Sequence, residues 1–194
     1  MRDNDIIKDL QSGNPEAYKI LVGEHQVSLF KLCMGFLHNT EDARDIVQET
    51  FIEVFESVHN FRRESKLSTW LYRIAINKSL NLIRKRKLRN WLVNIDFISG
   101  NRNSVEVIQP AADSADNADY SVESEERKKL VKKAIDTLPD NQRIAFILNK
   151  YQGLSYNEVS EVMAISISAT ESLIYRAKEA LQKKLYTFYK KNLL

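Results

Sequence analysis

Between Ile98 and Glu126 the periodic apolar pattern that marks packed helices is missing. Within that gap the run Gln109-Pro110-Ala111-Ala112-Asp113-Ser114-Ala115-Asp116-Asn117-Ala118-Asp119 is small, polar and acidic. Such a segment has too little apolar surface to offset the entropy of ordering it. The chain is therefore expected to divide into a domain over 1–90, a linker over 91–125 and a domain over 126–194. A length of 194 residues suits two small domains. Only 5 glycines and 3 prolines are present, too few for the tight turns of an all-β protein. The expected fold is all-α, two small helical domains joined by an acidic, flexible linker. Cys33 is the single cysteine and cannot close a disulfide within the chain. The longest unbroken apolar run, Ile144-Ala145-Phe146-Ile147-Leu148, is far short of the roughly 20 residues of a membrane span, and Met1-Arg2-Asp3-Asn4-Asp5 offers no signal sequence. The expected setting is the cytoplasm.

The net charge of +3 hides an alternation along the chain. Residues 1–60 carry a net −6, 61–90 a net +9, 91–126 a net −7 and 127–194 a net +7. Two basic segments held apart by an acidic one suit two surfaces that meet a polyanion, although lysine-rich helices with solvated faces would look the same. Extended, 35 residues reach on the order of 120 Å, enough to hold two readers about 70 Å apart, two turns of duplex.

In the first half, Ile46, Val47, Thr50, Phe51, Val54, Phe55 and Val58 share one helical face. The opposite stripe is Asp45, Gln48, Glu49, Ile52 and Glu56, either an ordinary solvated face or a docking surface on which Ile52 is the apolar contact. A basic segment follows, Phe61-Arg62-Arg63-Glu64-Ser65-Lys66-Leu67-Ser68-Thr69-Trp70. The next helix is expected from Thr69 to about Arg89, with Leu71, Ile74, Ala75 and Leu82 inward and Arg73, Asn77, Asn81 and Arg84 on a separate face. Guanidinium and amide groups suit phosphates and base edges, and Phe61 and Trp70 are either core residues or stacking platforms for an unpaired base.

In the second half, Leu138-Pro139 separates two helices, Gly153 suits a helix C-terminus, and Ser155-Tyr156-Asn157-Glu158 reads as a capping box. Val159 and Val162 are core positions. After Met163-Ala164-Ile165-Ser166, a helix to about Leu185 places Leu173, Ile174, Ala177, Ala180 and Leu181 inward. A short helix, a tight turn and a longer helix form either a helix-turn-helix or a plain helical hairpin.

Asp42 to Glu56, Phe61-Arg62-Arg63-Glu64-Ser65 and Thr69-Trp70-Leu71-Tyr72-Arg73-Ile74-Ala75-Ile76-Asn77 together resemble the sigma-2 domain of extracytoplasmic-function sigma factors, promoter-recognition subunits of bacterial RNA polymerase. Leu138-Pro139, Gln142-Arg143, Gly153 to Val159 and Tyr175-Arg176-Ala177-Lys178 are similar to the sigma-4 domain of the same family. The resemblance implies that Asp45, Gln48, Glu49 and Ile52 meet the clamp of the polymerase's largest subunit. It assigns the −10 element to Phe61, Arg62, Arg63, Ser65, Lys66, Thr69, Trp70, Arg73, Asn77 and Asn81. The −35 element falls to Ser168, Glu171, Ser172, Tyr175, Arg176 and Lys178, with Ser166 or Ser168 as the cap of the recognition helix. It further implies partnership with core polymerase, promoter DNA and a cognate anti-sigma factor, without membrane insertion.

Two positions depart from the family, which usually has a basic residue where Glu171 stands and another where Leu173 stands. Glu171 either accepts from a cytosine amino group or serves the helix itself, completing a Ser168-x-x-Glu171 capping box or complementing the dipole at the helix N-terminus. No phosphate loop, dinucleotide turn, metal-ligand spacing or nucleophile-base pair is found, so neither cofactor nor metal nor enzymatic activity is expected. The expected function is promoter-specific initiation with core RNA polymerase; the alternative is a stand-alone helix-turn-helix regulator that needs no clamp contact.

Overall fold

A computed structural model describes residues 2–62, 64–98 and 120–192. Its helices are α1 (Arg2–Gln11), α2 (Pro15–Leu37), α3 (Thr40–Ser57), α4 (Leu67–Ile98), α5 (Tyr120–Asp136), α6 (Asp140–Tyr151), α7 (Tyr156–Met163) and α8 (Ile167–Asn192), with a 3-10 turn at Val58–Asn60. No strand occurs among the described residues.

Local chemistry sets most of the helix starts. Asn14 accepts from the Glu16 amide with Pro15 as the first helical residue, and Asn39 accepts from the Asp42 amide at the head of α3. α2 stops where His38 takes a left-handed conformation (φ 53°). The expected capping box opens α7: Ser155 Oγ accepts from the Glu158 amide at 3.3 Å, and the Glu158 carboxylate accepts from the Ser155 amide at 2.9 Å. Gly153, at φ +70°, lies just past the end of α6 in the region that glycine tolerates.

Three helices run further than the sequence suggests. α4 continues past Arg89 to Ile98, α5 already begins at Tyr120, and α8 extends beyond Leu185 to Asn192. The segment expected as a linker is therefore helical over 91–98 and 120–125. None of these helices contains glycine or proline, and once a helix is nucleated each further residue adds a backbone hydrogen bond. The acidic run 109–119 lies outside the described residues.

α1, α2, α3 and the first half of α4 form one domain around Leu10, Leu21, Leu29, Leu32, Phe36, Val54 and Leu71, all buried. α5 to α8 form the other around Ile135, Ile147, Leu148, Val159 and Ile174. α2, by length and composition, is apolar enough to cross a membrane, but its buried face packs on α3 and α4. Two residues placed inward by periodicity are exposed. Phe55 is 60% exposed and packs its ring on Tyr18 at 4.8 Å, and Ala180 faces outward on α8. Each sits at the margin of its apolar arc, and the Tyr18 ring of α2 leaves most of Phe55 uncovered.

The two domains pack against each other, α2 on α6 and α4 on α7. At Gly35 the helices come so close that an added Cβ would lie 2.9 Å from Ile147 Cγ2. Arg143, 4% exposed, crosses this boundary: its Nη2 donates to the Phe36 carbonyl at 2.5 Å and to Asp136 at 2.6 Å, with the guanidinium 5.5 Å from the centre of the Phe36 ring. Burial pulls the Arg143 guanidinium below its ordinary pKa, against the opposing charges of Asp136 and Asp140. His38 Nε2 meets the same Asp136 at 3.1 Å, and Arg84 pairs with Asp140 at 3.1 Å.

Candidate functional site

Three surfaces gather the residues singled out above. The first is the outer face of α3. Ala43, Ile46, Val47, Thr50 and Val54 turn inward, and the Thr50 hydroxyl donates to the Ile46 carbonyl at 2.7 Å, so its polarity is satisfied within the helix. Asp45, Gln48, Glu49 and Ile52 consequently all point out, Ile52 at 47% exposure. Glu49 lies 3.5 Å from Lys78, which also pairs with Glu53 at 2.9 Å. Burial alone would lower the Lys78 pKa, but the Glu53 and Glu49 carboxylates hold it above its ordinary value. Beside this face runs an apolar groove of about 600 Å³ between α2 and α3, with Val22, Val27, Phe30 and Phe51 along it and Gln48 and Ile52 at its rim. The α2 half of the groove is not legible in the sequence, because Glu16, Lys19, Glu24, Gln26 and Lys31 are scattered around α2 and its pattern does not separate buried from exposed positions.

The second surface is the loop before α4 and the polar face of that helix. Phe61 and Trp70 are half-buried and stack on each other, with ring centroids 4.7 Å apart and planes at 22°. With Arg62, Ser65 and Arg73 they line a cleft of about 390 Å³. Arg62, Lys66, Asn77 and Asn81 are exposed. Arg63 lies outside the described residues. Thr69 differs from expectation: it is 4% exposed, because it heads the buried stripe that continues through Tyr72 and Ile76. Arg73 is not free either. Its Nε donates to the Val162 carbonyl at 3.0 Å and its Nη2 to the Glu161 carbonyl at 2.7 Å. These carbonyls end α7, where the negative pole of the helix dipole favours a cation. Lys66 lies 3.9 Å from Glu158 at the other end of α7.

The third surface is α8, which follows α7 across a turn whose Ala164 is left-handed (φ 54°). Of the two serines considered as the cap, Ser166 serves: its Oγ accepts from the Ala169 amide at 3.2 Å. Thr170, Ile174, Ala177 and Leu181 are buried against the rest of the domain. Ser168, Glu171, Ser172, Tyr175, Arg176 and Lys178 occupy the opposite arc and are all exposed, Tyr175 at 63%. The expected box between Ser168 and Glu171 does not form. With Ser166 as the cap, the position that would complete a box is Ala169.

Cys33 is fully buried, and burial pushes its thiol up to about 11, so it is no nucleophile at neutral pH. No group of three or more His, Cys, Asp or Glu residues able to hold a metal occurs among the described residues.

These surfaces define a two-domain helical protein with a helix-turn-helix in its second half, and known proteins share it. The Sigma-70 region 2 family model matches residues 21–89, and the Sigma-70 region 4 model matches residues 128–181. The RNA polymerase sigma-H factor of Pseudomonas aeruginosa is 32% identical over 189 residues, covering 95% of this chain and 94% of its own. The ECF RNA polymerase sigma-E factor of Haemophilus influenzae is 30% identical over 185 residues, covering 95% and 96%. The solved structure of CnrH in complex with the cytosolic domain of CnrY shares the fold, with a TM-score of 0.69, 24% identity and coverage of 96% of this chain and 99% of that one. The chain belongs to the extracytoplasmic-function sigma factors.

Proposed function

We propose that the chain binds core RNA polymerase and directs it to a subset of promoters, with one task on each surface. The α3 face carrying Asp45, Gln48, Glu49 and Ile52 docks on the polymerase clamp. The Phe61–Trp70 cleft and the exposed Arg62, Lys66, Asn77 and Asn81 hold the non-template strand of the −10 element. α8 enters the major groove of the −35 element. The functional division falls at 1–90, 91–125 and 126–194. The chain works in the cytoplasm as a binding subunit, and nucleotide polymerisation belongs to its partner. A cognate anti-sigma factor is the expected regulator, in keeping with the related fold of CnrH, solved with a cytosolic protein domain bound.

The observation that carries this reading is the clean division of α8. Its buried arc of Thr170, Ile174, Ala177 and Leu181 leaves six hydrogen-bonding or charged side chains on the face a duplex would meet. Engaging both DNA elements requires the domains to part, because Arg73, on the −10 surface, is bonded to the first helix of the helix-turn-helix.

Transcription from promoter fragments by the full chain with core polymerase tests the proposal. Alanine at Asn77 should make initiation insensitive to −10 substitutions, and alanine at Arg176 should weaken −35 binding and flatten its salt dependence, since each lost phosphate contact releases fewer counterions. Initiation equally dependent on both elements in these variants would refute the assignments.

A further inference from the structure

The recognition face of α8 has an anomaly: it carries a carboxylate where it is to approach a polyanion. Glu171 is exposed, one turn into the helix. The simplest structural use for it is removed by the cap geometry, since Ser166 caps α8 and Ala169 fills the position from which a glutamate would close the box. No ion pair or hydrogen bond engages the Glu171 side chain among the described residues, although Arg176 and Lys178 lie on the same helix. Its nearest neighbours on the face, Ser168, Ser172 and Tyr175, are neutral.

Ser172 adds a second observation. Its hydroxyl donates to the Ser168 carbonyl at 2.9 Å, so its proton is committed to the backbone and the oxygen that remains outward is an acceptor. The middle of the face therefore offers acceptors side by side, Glu171 and Ser172. In the major groove, guanine presents N7 and O6 and thymine presents O4, all of which repel a carboxylate. Only the exocyclic amino groups of cytosine and adenine donate there. Adenine flanks its amino group with its own N7 and with the O4 of its paired thymine, acceptors on both sides. Cytosine flanks its amino group with the C5–H edge on one side, and a carboxylate can approach from there.

We infer that Glu171 is a specificity-determining residue, accepting from the N4 amino group of a cytosine at one position of the −35 element. The inference rests on the reading of α8 as the −35 helix. An unpaired carboxylate against phosphates or purine acceptors lowers affinity, so the residue both selects its base and rejects others.

The test uses the full chain assembled with core RNA polymerase, and duplex fragments with a constant −10 element and a randomised −35 region. Bound fragments are sequenced. The parent should prefer cytosine over guanine at one position on the order of tenfold. Glu171→Ala should bring that position near parity and leave the others selected as before. Glu171→Gln should move the preference toward adenine, whose N6 and N7 an amide engages together, and Glu171→Arg toward guanine. If the parent selects a −35 sequence that Arg176→Ala weakens, yet no position responds to any Glu171 variant, the inference is overturned and the reading of α8 stands. If the parent selects nothing in this region and Arg176→Ala changes nothing, the reading of α8 fails and the inference falls with it.

Discussion

Arg143 is the position at which the packing of the two domains can be tested most directly. Truncation to alanine removes a 2.5 Å hydrogen bond to the Phe36 carbonyl, a 2.6 Å pair with Asp136 and a guanidinium lying against the Phe36 ring. A hydrogen bond from a charged donor contributes about 1.5–3 kcal/mol, and the orphaned Phe36 carbonyl sits within the boundary. Asp136 is 41% exposed, so water recovers most of its lost partner and the pair itself adds only about 0.5 kcal/mol. The apolar stem adds roughly another 1 kcal/mol. Arg143→Ala should therefore cost about 3–4 kcal/mol in all, of which the hydrogen bond to Phe36, about 1.5–3 kcal/mol, falls on the packing of the two domains, roughly ten- to a hundredfold in that equilibrium. Arg143→Met keeps the stem and should cost about 1 kcal/mol less. Because the loss falls on the domain boundary, urea unfolding of the full chain should split from one transition into two, and small-angle scattering should show a larger radius of gyration. A single transition shifted by less than about 0.5 kcal/mol, the size of an ordinary surface change, would refute the role assigned to Arg143.

Reversing both carboxylates of the α3 face, Asp45→Lys with Glu49→Lys, should weaken binding to core polymerase in a pull-down while moving the melting temperature little, since the exposed Glu49–Lys78 pair contributes well under about 1 kcal/mol. Gly35→Ala should destabilise by about 1 kcal/mol net, overpacking against Ile147 outweighing the helix-propensity gain, whereas Gly23→Ala, with nothing within 4 Å of the new Cβ, should stabilise by about 0.5–1 kcal/mol in thermal melts. The Glu158 carboxyl is held below its usual range by the Ser155 amide and hydroxyl and then by Lys66. Its contribution is present above the ordinary carboxylate pKa and is lost as pH falls through the lowered value. Hydrogen exchange should accordingly show α7 opening only below the ordinary carboxylate range, and Ser155→Ala should move that onset to higher pH; an unmoved onset would count against the capping box as its cause.

Features written in local spacing were legible along the chain. A face of α3, the box at Ser155 and Glu158 and the two arcs of α8 each depend on residues within about two turns of one another, where the 3.6-residue repeat and the reach of a short side chain leave few options. What lay beyond reading depends on partners far apart in sequence. Arg73 looks like a free phosphate ligand until α7, nearly 90 residues on, offers two helix-end carbonyls. Arg143 gives no sign in its own helix that it will be buried on Phe36, 107 residues earlier. Phe55 and Thr69 went opposite ways for the same reason: periodicity places a residue on an arc, but only a neighbouring helix covers or exposes the margin of that arc. Helix ends run past the expected Arg89 and Leu185 because the sequence carries no glycine or proline there, and a nucleated helix gains a backbone hydrogen bond with each further residue until something stops it. Glu171 joins both halves of this lesson. Its sequence spacing allowed a capping box, and the choice of Ser166 as the cap, made by the turn that seats α8 on α7, left its carboxylate facing outward.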